Sequence, residues 1–200
     1  VKKEKRMEKV SYALGLSLGN NLLSSGIKAL DYGKLAKGIQ DVMEGQKTEI
    51  SYQEAQTVIN EFFSSLQEKA GDEAKKQGQE FLEANAKRDG VVTLSSGLQY
   101  EIITPGTGAT PKASDTVNVH YHGTLISGEV FDSSVNRGEP ATFGVTQVIS
   151  GWVEALQLMP VGSKWKLFIP SELAYGSRGA GQSIGPNTTL IFEVELLGIV

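Results

Sequence analysis

The chain has 200 residues, 40% of them hydrophobic, 21% charged and 8% aromatic, with a net charge of −4. This composition excludes disorder as the default and gives nucleic acid or an anionic membrane no electrostatic advantage over other partners. There is no cysteine, which excludes disulfides, thiol catalysis and thiolate metal sites. No apolar run approaches the roughly 18 residues of a membrane-spanning helix.

The chain opens with Lys2, Lys3, Lys5, Arg6 and Lys9, interrupted by Glu4 and Glu8, which reads as a solvated start rather than a binding patch. Met7-Glu-Lys-Val resembles a natural start close to a helix, so a cytoplasmic protein is expected; a periplasmic one is the alternative if a signal was removed before residue 1. Val10, Ala13, Leu14, Leu18 and Leu22 recur at helical spacing, while Tyr12, Leu16 and Leu23 populate other faces. This first helix is therefore expected to be covered on more than one side. A second helix is predicted from Tyr32 to Glu44, with Leu35, Ile39, Val42 and Met43 on its apolar face and Gly45 at its end.

Ser51 followed by Glu54 forms a capping box, and no proline interrupts the chain from there to Asp89. That predicts one helix of roughly 38 residues, about 57 Å long. Val58, Ile59, Phe62, Phe63 and Leu66 make an apolar stripe early in it, and Phe81 and Leu82 restore apolar contact late. Between them, Gln67 to Glu80 is polar all round, the pattern of a helix crossing solvent between domains. Gly71 and Gly78 are the expected bending points, each costing about 1 kcal/mol relative to alanine. Helical material of this size makes too little core to stand alone. A homodimer through Tyr12, Leu14, Leu18, Leu22, Ile59, Phe62 and Phe63 is therefore expected.

The sequence changes character near Gly90, beyond which lie all six prolines and short β-branched runs. Strands are predicted at Gly97 to Thr104, Val117 to Leu125, Lys164 to Ile169 and Thr189 to Leu197. In the second, Val117, Val119 and Tyr121 share one face, and Asn118, His120 and His122 the other. In the last, Leu190, Phe192, Val194 and Leu196 face inward. One or two helical turns fall between Gln147 and Leu158. The predicted fold class is α+β. A helical segment at 1–50 and a connecting helix at 51–90 precede a curled antiparallel sheet around one short helix at 91–200.

Six blocks then occur in order: Val119-His-Tyr-His-Gly-Thr-Leu, Gly128-Glu-Val-Phe-Asp-Ser-Ser, Gln147-Val-Ile-Ser-Gly-Trp, Met159-Pro-Val-Gly-Ser-Lys, Ile169-Pro-Ser-Glu-Leu-Ala-Tyr-Gly and Leu190-Ile-Phe-Glu-Val-Glu-Leu-Leu. Together they resemble the FKBP-type peptidyl-prolyl cis/trans isomerases over essentially all of Ser95 to Leu197. The helical N-terminal segment is similar to that of the dimeric two-domain bacterial members, the macrophage infectivity potentiators and their cytoplasmic relatives.

The resemblance implies a proline ring seated on the indole of Trp152, with walls of Tyr121, Phe131, Val148, Ile149, Ile184 and Phe192. It implies that Tyr175 offers its hydroxyl and Ile149 its backbone N–H to substrate carbonyls. Asp132 would lie beside the turning carbonyl, steadied by Tyr121 and Arg137; Tyr121, Asp132 and Tyr175 are thus the expected catalytic residues. Two positions depart from the family pattern, Ala141 in place of an aromatic after Pro140 and Ala180 in place of a histidine. No cofactor and no metal is expected. Expected partners are unfolded or proline-containing protein substrates, with macrolides such as tacrolimus or rapamycin as candidate inhibitors.

Other chemistries fit the residues poorly. His120 and His122 have a spacing compatible with a metal, but with no cysteine and no third histidine carboxylates would have to complete the site. Gly106-Thr-Gly-Ala-Thr-Pro-Lys lacks the phosphate-loop ending, Gly176-Ser-Arg-Gly-Ala-Gly lacks dinucleotide spacing, and no G-x-S-x-G elbow is present. A folding catalyst whose helical dimer presents two pockets to one chain is the principal reading. A module that binds proline-containing segments without turnover is the alternative. On the first reading, removal of 1–90 is expected to spare activity on short peptides and to impair catalysis of protein refolding.

Overall fold

The computed structural model describes residues 2–200, and side chains from Glu4 onward; Val1 and the side chains of Lys2 and Lys3 from the basic start lie outside the described residues. The chain divides into two compact units, Val1–Leu66 and Gln67–Val200.

The first unit holds α1 (Lys2–Ser24), α2 (Tyr32–Met43) and the beginning of α3 (Tyr52–Asn85). The expected cap at Ser51 is present, and α2 has a further one at Asp31. Asp31 accepts from the Lys34 N–H at 3.0 Å, and Ser51 Oγ accepts from the Glu54 N–H at 3.1 Å. Gly45 follows α2 in the left-handed region, where a side chain would be strained. Among the described residues of this unit only Asp41 is buried, beside Lys37 one helical turn away. Tyr12, Leu14, Ile59, Phe62 and Phe63 are all exposed, and Leu22 is half-buried.

The second unit takes in α3 from Gln67 onward. The helix ends at Asn85, four residues short of the expected Asp89, because tertiary contacts capture its last turn. Asn85 donates to Gln99 Oε1 at 2.8 Å and Gln99 donates to the Leu82 carbonyl at 2.9 Å. Arg88 joins Asn85 Oδ1 at 2.8 Å and Glu101 at 2.9 Å. The Phe81 ring lies 6.0 Å from that of Phe168. The helix runs unbroken through Gly71 and Gly78, and both are buried against the segment Pro186–Thr189. The middle of α3 is thus solvated on one side only, because backbone without Cβ lets a loop approach closely.

Beyond α3 lie β1 (Val91–Thr93), β2 (Gln99–Thr104), β3 (Thr116–Leu125), β4 (Val130–Ser133), α4 (Ser134–Arg137), β5 (Ala141–Gly144), α5 (Ser150–Leu156), β6 (Lys164–Ile169) and β7 (Leu190–Ile199). Every pairing is antiparallel, and the strands form one open sheet in the order β1-β2-β6-β7-β3-β4, with β5 beside the first half of β3. The predicted alternation in β3 and β7 is observed. Val117, Val119, Tyr121, Leu190, Phe192, Val194 and Leu196 are buried on the concave face. Against them α5 places Trp152, Ala155 and Leu156. His120 and His122 lie on the other face, 3.0 Å from Ser134 Oγ and 2.8 Å from Ser133 Oγ respectively.

Replacement Asn85→Ala leaves buried Gln99 without its partner, at a cost of about 1–3 kcal/mol. Urea unfolding is expected to show that loss for the second unit, and a fragment beginning at Gln67 is expected to outlast one beginning at Val91. Equal midpoints would contradict the capture of the helix end.

Candidate active site

The site is built where β3, β4 and α4 meet. Ser133 caps α4, its hydroxyl accepting from the Asn136 N–H at 3.1 Å. Ser134, fully buried, accepts from the Tyr121 N–H at 2.7 Å and so fixes α4 to the middle of β3. This single turn carries Arg137 back toward Asp132. The Tyr121 hydroxyl donates to Asp132 Oδ2 at 2.6 Å and accepts from Arg137 Nη2 at 2.8 Å, while Arg137 Nη1 donates to Asp132 Oδ1. The three side chains therefore close a triangle of hydrogen bonds, and the guanidinium also lies 5.6 Å from the Tyr121 ring centroid.

Beside this triangle opens a cavity of about 660 Å³. Trp152, 4% exposed, sits at the centre of its aromatic wall. The rings of Phe192, Tyr121 and Phe143 meet the indole edge-on at 5.2, 5.4 and 5.9 Å, and Phe131 meets Phe192 edge-on at 5.3 Å. Edge-to-face contacts at these distances are the favoured arrangement of aromatic quadrupoles. Of the ten residues singled out in the sequence, nine line the cavity, namely Tyr121, Phe131, Asp132, Val148, Ile149, Trp152, Tyr175, Ile184 and Phe192. Arg137 reaches it through Asp132 and Tyr121. Tyr175 is 41% exposed at the rim.

Five lining residues were not singled out: Phe143, Gln147, Gly181, Gln182 and Ser183. Phe143 was legible in principle, because it lies two residues after Ala141 on β5 and so shares its face. It supplies an aromatic ring that Ala141 does not. Ala180 also lines the cavity. The segment Gly181–Ser183 has no signal of its own; it is clipped by paired hydrogen bonds between Ala180 and Ile184 at 2.8 and 3.2 Å.

The electrostatics hold the triangle in one protonation state. Burial pushes the Asp132 carboxyl up, but hydrogen bonds from Tyr121 and Arg137, the guanidinium charge and the Ser133 N–H outweigh it and hold the group below its ordinary value. Burial, with the hydrogen bond to Asp132, raises the Tyr121 phenol above its own.

A dry aromatic cradle bounded by one ionised carboxylate, one guanidinium and phenolic hydroxyls suits a protein that grips a small apolar ring and alters the amide attached to it. Among the described residues its lining includes no histidine, cysteine or lysine to serve a serine-type or thiol nucleophile. The family described as FKBP-type peptidyl-prolyl cis-trans isomerase matches residues 108–197, and the domain amino terminal to such isomerases matches residues 7–102. The 22 kDa FKBP-type peptidyl-prolyl cis-trans isomerase of Escherichia coli is 50% identical, over 95% of this chain and 94% of that protein. The outer membrane protein MIP of Legionella longbeachae is 48% identical, over 96% of this chain and 85% of that protein. The crystal structure of FkpA from Escherichia coli superposes with a TM-score of 0.78 at 43% identity, covering 96% of this chain and 95% of that one. The chain belongs to the two-domain bacterial FKBP-type peptidyl-prolyl cis/trans isomerases and is an enzyme of that class. No helix among the described residues is long and apolar enough to cross a membrane. The expectation of a cytoplasmic protein draws no support from these relatives, one of which is named for the outer membrane.

The pH dependence follows from the two shifts. Asp132, lowered from 3.8, contributes stability that is complete above that value and lost as pH falls through its lower folded pKa. Tyr121, raised from 10.0, contributes stability that is complete below that value and lost as pH rises through its higher folded pKa. Isomerase kcat/KM is expected to be level from about pH 5 to about pH 9. A titration step inside that window would contradict the assignment.

Proposed function

We propose that the cavity seats the pyrrolidine ring of an X–Pro segment on the face of Trp152, between Tyr121, Phe131, Ile184 and Phe192. Asp132 stands beside the carbonyl that turns, oriented by Tyr121 and Arg137. The Tyr175 hydroxyl and the Ile149 N–H hold flanking carbonyls, so that rotation is confined to the prolyl bond. The barrier to that rotation, about 18–20 kcal/mol, comes from amide resonance. A twisted amide has lost double-bond character and part of its carbonyl dipole, so a water-poor aromatic site favours it relative to the planar, more polar form. Macrolide inhibitors compete for the same cavity, with Phe143 contributing to their contact surface.

The observation that carries this reading is the indole of Trp152, ringed edge-on by three aromatic side chains on the wall of a cavity that the Tyr121–Asp132–Arg137 triangle borders. Asp132→Ala is expected to lower kcat/KM on a short X–Pro peptide by about tenfold or more, equivalent to about 1.4 kcal/mol of transition-state stabilisation. Its melting temperature should change little, because the Asp132–Arg137 pair is about half exposed. Trp152→Leu is expected to lose more. Full activity in both variants would refute the site.

The helical unit pairs two copies of the chain. It buries no apolar residue of its own among the described residues, while Tyr12 and Met43 are 73% and 82% exposed. An apolar groove of about 620 Å³ between α2 and α3, lined by Leu35, Ile39, Val42, Met43, Val58 and Ile59 among others, adds to the surface left uncovered. Exposed apolar area on this scale marks an interaction surface. Joining two pockets on one unfolded chain raises the effective concentration of the second, which assists folding of long clients beyond catalysis of one bond. Phe62→Asp is expected to convert a sedimenting dimer into a monomer, spare peptide isomerisation and slow the refolding of a proline-limited protein. A wild-type chain that sediments as a monomer at micromolar concentration would dispose of this part.

A further inference from the structure

The segment that walls the cavity is held from behind, and one residue bonds to both the helix and the turn beside it. Asn187 is the only non-glycine residue among those described with a positive φ, at 54°. Asparagine tolerates that left-handed region better than most side chains, but it is an unusual conformation and calls for a reason. Its backbone N–H donates to the Gly176 carbonyl at 2.8 Å, and Gly176 directly follows Tyr175. Its side-chain Nδ2 donates to the Gly71 carbonyl of α3 at 3.2 Å. Three residues before it lies Ile184, whose side chain walls the cavity.

The helix is shaped to receive this segment. A Cβ at position 71 would meet Pro186 Cβ at 3.1 Å and Asn187 Nδ2 at 3.2 Å, and one at position 78 would collide with the Thr189 hydroxyl. Residues seven apart lie on one face of a helix two turns apart, so Gly71 and Gly78 offer bare backbone along the same line. A helix interior disfavours glycine by about 1 kcal/mol relative to alanine, and close approach of the loop is what the two glycines provide.

We propose that Asn187 is a positioning residue for the isomerase site: by bonding to α3 on one side and to the turn after Tyr175 on the other, it sets Tyr175 and Ile184 against the substrate. This rests on the reading that those two residues touch the substrate. Through this bond, the second half of α3 takes part in shaping the cavity although none of its residues lines it.

The test uses the full chain, with kcat and KM determined separately on an X–Pro tetrapeptide and amide resonances of Tyr175, Gly176 and Ile184 followed by NMR. Asn187→Gly keeps the left-handed backbone and the bond to Gly176 but loses the bond to α3. Asn187→Asp keeps the shape but turns a carboxylate toward a carbonyl. Gly71→Ala favours the helix yet presses on Pro186 and Asn187. Each is expected to lower kcat/KM about three- to tenfold, chiefly through KM, and to move the three resonances. The double variant Gly71→Ala/Asn187→Gly is expected to lose less than the product of the single losses, because both act on one contact. Tyr175→Phe and Ile184→Ala serve as the site controls. If these controls lower kcat/KM while the Asn187 and Gly71 variants stay within about twofold of the parent with unmoved resonances, the positioning role is wrong. Multiplying losses in the double variant would also overturn it. If the controls themselves are without effect, the site reading fails and this inference falls with it.

Discussion

The isomerase unit depends on the burial of one indole. Trp152 projects from α5 onto the concave face of the sheet, where Tyr121 from β3 and Phe192 from β7 meet it edge-on. Those same rings belong to the hydrophobic core. Core and cavity are therefore one continuous cluster, and the cavity is the part of it that the sheet does not cover. Burying a side chain of this size contributes on the order of 3 kcal/mol or more. Among the described residues its Nε1 has no hydrogen-bond partner. An unsatisfied buried donor costs about 1–3 kcal/mol.

A second constraint acts on direction rather than on burial. A carboxylate at the edge of an apolar cavity could swing into solvent or become protonated. The closed triangle with Tyr121 and Arg137 opposes both, since each oxygen of Asp132 is held by a separate donor. Ser134 extends that order to the backbone by tying α4 to β3. The polar half of the site is thus fixed by short-range capping chemistry, and the apolar half by ring packing.

Much of this was legible in the sequence because the underlying periods are simple. The inward rows of β3 and β7 follow from strict alternation, and the end of α2 and the start of α3 from Gly45 and Ser51. The site residues became legible only jointly, through ordered blocks, since an isolated Trp or Phe reads as core. What was missed has a common cause. The short strands β1, β4 and β5 carry too few residues for a period to show. The end of α3 is decided by Gln99 and Glu101, residues distant in sequence. Gly71 and Gly78 read as weak points because sequence alone does not say what lies against a helix, and Phe143 lies on a strand too short for its inward face to show as a period. The helical unit is the reverse case: its elements are clear, but its apolar residues stay exposed, and local pattern does not say what would cover them.

The clip between Ala180 and Ile184 separates two kinds of position along a few residues of chain. Its paired bonds are made by backbone, so they do not depend on which side chains stand at Gln182 and Ser183, whereas Gly181, at φ 55°, holds a left-handed turn that a side chain would strain. Those three positions line the cavity while belonging to neither the aromatic cluster nor the triangle. Gln182 and Ser183 can therefore vary without breaking the clip, so change there alters the lining of the cavity while the scaffold that holds it stays the same.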